Sequence, residues 1–103
     1  MSDDDVGDAT VPASVREYVW IFHGDDARFA AAVFAAKDEA LAWAERHRVT
    51  GVLTLYPVGD GCYDIAVKEK RFHPSKPHHG SPRHVAQFSP GWTEHIHLDD
   101  GRL

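Results

Sequence analysis

Histidine gives this sequence its main capacity for chemistry: eight of 103 residues are His, and six of them (His73, His78, His79, His84, His95 and His97) fall in one C-terminal stretch. His95 and His97 are two residues apart, which on a strand puts both imidazoles on one face roughly 7 Å apart. That spacing suits two nitrogen ligands of one zinc. A closed site would need two more, with His78 and His79, or an aspartate, folded in. No paired-cysteine spacing supports it, since Cys62 is the only cysteine. The plainer reading is a solvent-facing edge strand whose polar residues are histidines. Partner contact or pH sensing is a third reading, because imidazole titrates near neutrality. The binding residues taken from this stretch are His78, His79, His84, Trp92, His95 and His97.

Three further groupings carry chemistry. Cys62 stands at an expected helix start beside Tyr63 and Asp64, where the dipole would favour a thiolate. His23 would be the base of a Cys–His nucleophile pair; the plainer reading makes Cys62 a small buried apolar residue. Gly59-Asp60-Gly61 before that helix has the form of an anion-binding turn. Its central acid and the lack of a following GK[ST] favour a turn with Asp60 as helix cap. Lys68, Lys70, Arg71, Lys76 and Arg83 form a basic stretch opposed only by Glu69. With Tyr63, Phe72 and Phe88 interleaved, it suits RNA or a phosphate ligand, or is simply a solvated helix face. Trp20, Trp43 and Trp92 read as core.

The elements that must position these groups follow from pattern. Glu17 to His23 is β-branched and aromatic and stops at Gly24-Asp25-Asp26, which predicts a strand. Both its alternating sets are apolar, so it belongs at the centre of a sheet, buried on both faces. Phe29 to Phe34 returns as a hairpin partner. Lys37 to Arg48 is helical, with Ala40, Trp43, Ala44 and His47 on one stripe and charges that suit the dipole. Val52 to Val58 is a third strand with Pro57 at its end. A helix made amphipathic by Tyr63, Ala66, Val67 and Lys70 follows, then an extended Pro/His-rich crossing from Phe72 to Pro82. Ser81-Pro82 starts a short helix through Val85 and Phe88. Trp92 to Leu98 alternates as a last, half-buried strand, with Trp92, Glu94, Ile96 and Leu98 on one face. Its expected place is the edge beside the first or third strand.

The order β-β-α-β-α, extended segment, short helix and strand predicts one α+β domain over residues 16–103. Its sheet is small and mostly antiparallel, with helices packed on it. Residues 1–15, with four Asp and few large apolar residues, are expected to be a disordered acidic leader. A net charge of −5, concentrated before residue 37, leaves the rest balanced and argues against a dedicated DNA-binding domain. No run is long enough to span a bilayer. The start MSDDDVGDATVPAS lacks the layout of a secretion signal, and one cysteine makes no internal disulfide. These point to the cytoplasm.

Taken together, YVWIFHG, ARFAAAVF, LAW, GVLTLYPVGDGCYDIA, FHPSKPHHGSP and HIH resemble a small bacterial family known only as a domain of unknown function. The resemblance spans roughly residues 17–101. It implies the same α+β domain and carries over no catalytic or binding residue. The β-β-α-β start is also similar in shape to small bacterial regulators and toxin-neutralising proteins, an analogy that does not fix function. The sequence thus favours a non-enzymatic protein-binding or regulatory module, with a toxin-neutralising immunity type as its concrete form, and no cofactor. The alternatives are a zinc-binding or sensor domain on His78, His79, His95 and His97, and a small Cys/His enzyme.

Overall fold

Among the described residues, two of the four strands are long because their residues fit a pleated surface, and two are short edges. The computed structural model describes residues 16–103; the acidic leader lies outside the described residues. In chain order the elements are β1 (Tyr18–Gly24), β2 (Ala32–Phe34), α1 (Lys37–His47), β3 (Gly51–Pro57), α2 (Cys62–Lys68), α3 (Pro82–Ala86) and β4 (His95–Leu98). The strands form one antiparallel sheet in the order β2-β1-β3-β4. The fold is α+β, and β4 takes the edge beside the third strand. Among the described residues no helix is long and apolar enough to cross a membrane.

The register sorts the side chains. Trp20 lies opposite Phe34 and Leu55, Phe22 opposite Ala32 and Leu53, and Leu53 opposite Ile96. Residues directly opposite share a face, so these make one apolar surface. α1 covers it with Ala40 and Ala44, both without solvent exposure. Two alanines at i and i+4 let the helix backbone approach closely. Trp43 then seals the side, 5.3 Å from the Phe22 ring and 5.4 Å from Phe34. Gly51 is fixed by the same closeness, since a β-carbon there would meet the His23 carbonyl and lie 2.8 Å from Gly24 Cα.

Several expectations need correction. β1 is central, but only Trp20 and Phe22 are buried in it. Val19 and Ile21, on the other face, are half-buried. The second strand starts at Ala32, not Phe29: Asp26 takes a left-handed φ of 61°, and the loop carries Phe29 out to 76% exposure. Asp60 caps nothing. The cap position of α2 falls one residue later, on Gly61, without a side-chain bond. Asp60 instead meets Arg16 Nη1 at 2.9 Å. The buried positions of α2 are Ile65 and Ala66, and Lys70 lies beyond the helix with a φ of 61°. α3 ends before Phe88. The last strand starts at His95, so Trp92 and Glu94 precede it.

Candidate functional site

The histidine-rich crossing does not run free. It folds back on the end of α2, because aromatic rings at both ends give it something to pack on. Phe72 sits 5.2 Å from Phe88 and 6.0 Å from Tyr63, and Tyr63 sits 5.5 Å from Phe88. His79 lies 4.9 Å and His84 5.5 Å from the Phe72 ring. His78, His79 and His84 are within 5.7 Å of one another by ring centroid. Ser81 caps α3 by accepting the His84 N–H at 3.2 Å, with Pro82 at the first position, as the sequence signal implied. Gly80 makes the preceding turn with a φ of +84°, and a β-carbon there would lie 2.8 Å from Tyr63 Oη. Only glycine fits both constraints.

The ring nitrogens define the chemistry open to this cluster. His79 Nδ1 accepts from the backbone N–H of Ser75 at 3.0 Å and of Lys76 at 3.2 Å. His84 Nδ1 accepts from Gly80 N–H at 3.1 Å. An accepting Nδ1 places the ring proton on Nε2, so each neutral imidazole offers a donor there. A metal would need one bare ring nitrogen; here Nδ1 is occupied by backbone N–H groups and Nε2 holds the proton of the neutral ring. The His79 pKa is lowered, first by desolvation and then by His78, His84 and Lys76. His79 and His84 therefore act as a clasp on backbone amides.

His95 and His97 are elsewhere. They project from the solvent side of β4, opposite Thr54 and Val52. The His95 ring is engaged at both ends, with Nε2 3.2 Å from the Pro90 carbonyl and Nδ1 3.5 Å from Thr54 Oγ1. Nε2–H donates to the carbonyl, since the carbonyl has no proton to give. His78, His79, His95 and His97 are thus not assembled as a zinc shell. Among the described residues, no three His, Cys, Asp or Glu are arranged to hold a metal ion. His97 stays exposed.

The Cys–His pair is not formed either. Cys62 is half-buried, and burial pushes its thiol pKa up. The Tyr56 pKa is raised as well, first by burial and then by the neighbouring Cys62; Tyr56 pairs with Val19 in the sheet. His23 pairs with Val52, four residues back along β3 from Tyr56 and so roughly 13 Å from that residue. There its Nε2 meets the Ala27 carbonyl.

What the sequence missed is a cleft beside the clasp. Ala66, Arg71, Phe72, Phe88, Ser89 and Trp92 line an open hollow of about 360 Å³. The Arg71 guanidinium lies 5.4 Å from the centroid of the Trp92 ring. Its Nε donates to Glu69 Oε1 at 3.0 Å. Trp92 is half-buried, and its indole N–H is buried without a partner among the described residues. Arg71 and Trp92 are 21 residues apart in the chain, with no spacing that signals their meeting. Phe72 and Phe88 belong to both structures, with the clasp behind them and the cleft in front.

A family model described as a domain of unknown function (DUF7710) covers residues 19–103. No curated protein and no solved structure gives a significant match.

Proposed function

We propose that this chain, which belongs to the DUF7710 family, is a non-enzymatic module that docks another protein through the Arg71–Trp92 face. One observation supports it above the rest: an arginine stacked on a tryptophan at the mouth of an aromatic-walled cleft. Tryptophan, tyrosine and arginine dominate the residues that carry binding energy at protein interfaces. Phe72 and Phe88 pack on Tyr63 behind that surface, and a preformed surface lowers the ordering cost of association. The half-buried Cys62, with its pKa raised by burial, speaks against the enzyme reading, since the thiolate is the nucleophile.

The cytoplasm of a bacterium is the setting we assign, supported by a composition with one cysteine. A regulatory or toxin-neutralising role is its most concrete form. A tagged chain used to retrieve partners from its own host tests the reading. A specific protein is expected with the native chain and is lost with Arg71→Glu and Trp92→Ala variants that keep the native circular dichroism. A partner retained equally by both variants would move the interface elsewhere.

A further inference from the structure

The chain as a whole is acidic, yet the surface around the cleft is not. Between Lys68 and His84 the charged residues are Lys68, Lys70, Arg71, Lys76 and Arg83 against Glu69 alone. Glu69 is already tied to Arg71, and its side chain is only 18% exposed. Arg71 uses Nε for that contact, and its two Nη groups have no acceptor among the described residues. A guanidinium held by one edge and stacked on an indole presents its other edge to an incoming carboxylate, the geometry that favours paired hydrogen bonds. Beside it, Phe72 and Phe88 give the cleft apolar walls. A volume of about 360 Å³ lies at the small end of ligand pockets, enough for one aromatic side chain and a neighbouring acid.

We propose that the occupant is an acidic segment of the partner protein, inserting an aromatic side chain against Phe72 and Phe88 and setting an adjacent carboxylate on Arg71. This rests on the protein-docking reading above and names the partner's chemistry. Charge separates it from nucleic acid. After residue 36 the charges balance, nine acids against nine bases, so a long polyanion meets no basic excess beyond this stretch. A short acidic peptide feels mainly what lies within a screening length of about 8–10 Å, which here is the basic stretch.

Titrating the full chain, labelled with ¹⁵N, with four probes tests this, reading the Trp92 indole N–H and the Gly91 amide by NMR. The probes are a peptide of glutamates around one phenylalanine, the same peptide with glycine for phenylalanine, the same with lysines for glutamates, and a short oligouridylate. The first is expected to bind saturably and shift both signals. Arg71→Gln should weaken it about tenfold or more, as loss of a charged hydrogen bond implies. Lys68→Gln/Lys70→Gln, both exposed, should weaken it severalfold and flatten its salt dependence. Equal binding by the lysine or glycine peptide at these signals overturns the proposed chemistry and leaves protein docking standing. Tighter binding of the oligouridylate makes this a nucleic-acid face and overturns the proposal. No shift with any probe at millimolar concentration also overturns it, and the partner-retrieval experiment then judges docking on its own.

Discussion

An imidazole nitrogen that accepts a backbone hydrogen bond has been committed to a structural task, and two histidines here are committed in that way. His79 and His84 spend Nδ1 on Ser75, Lys76 and Gly80, and His95 spends both nitrogens on Pro90 and Thr54. Residue type alone suggested ligands; hydrogen-bond direction makes them clasps. The same scale decides Cys62. With its pKa raised by burial, its thiolate fraction at neutral pH is smaller than that of free cysteine. Labelling of the native chain by a thiol reagent at pH 7.5 is therefore expected to run slower than labelling of free cysteine. A faster rate would restore the nucleophile.

Among the elements, the crossing from His73 to Pro90 is the most dependent on a few contacts. α3 has five residues and none of them buried, so its first turn leans on the Ser81 cap. Ser81→Ala should cost about 1 kcal/mol, read as faster amide exchange at His84. The pH dependence has a definite sign. His79 has a folded pKa below its ordinary value of about 6.5, so the neutral ring stabilises the fold above that pH. That contribution is lost as pH falls through the folded value. Protonating Nδ1 also removes the acceptor for Ser75 and Lys76. Protection of these two amides, relative to their intrinsic exchange rates, is expected to fall as pH drops below about 6.5 while β1 and β3 stay protected. His79→Asn, which keeps an acceptor near the Nδ1 position, should flatten the response. Uniform protection across that range would show the clasp to be unimportant.

For the whole molecule, stability resides on the face between the sheet and α1. Leu53 is completely buried there, flanked by Phe22 and Ile96 in register. Leu53→Ala should cost about 2–5 kcal/mol, lowering the urea midpoint with an unchanged slope. A loss confined to the His73–Pro90 crossing would mean that the sheet is not the cooperative unit. The division of labour follows: one sheet face with α1 holds the fold, while the α2 end and the crossing display the basic, aromatic cleft.

The sequence by itself determined what repeats at short range. β-Branched and aromatic runs specified β1 and β3, the three/four spacing specified α1, and Ser81-Pro82 specified the start of α3. Those signals are local because backbone geometry sets them within a few residues. Where local signals were balanced, long-range contacts decided the outcome. Asp60 had cap chemistry but was taken by Arg16, 44 residues away, and the alanines before Ala32 carried too little side chain to hold a strand. Which histidines meet, and that Arg71 lies on Trp92, only the tertiary structure decided. Those contacts depend on how the crossing folds back on Tyr63, Phe72 and Phe88, a long-range packing choice that no periodicity encodes.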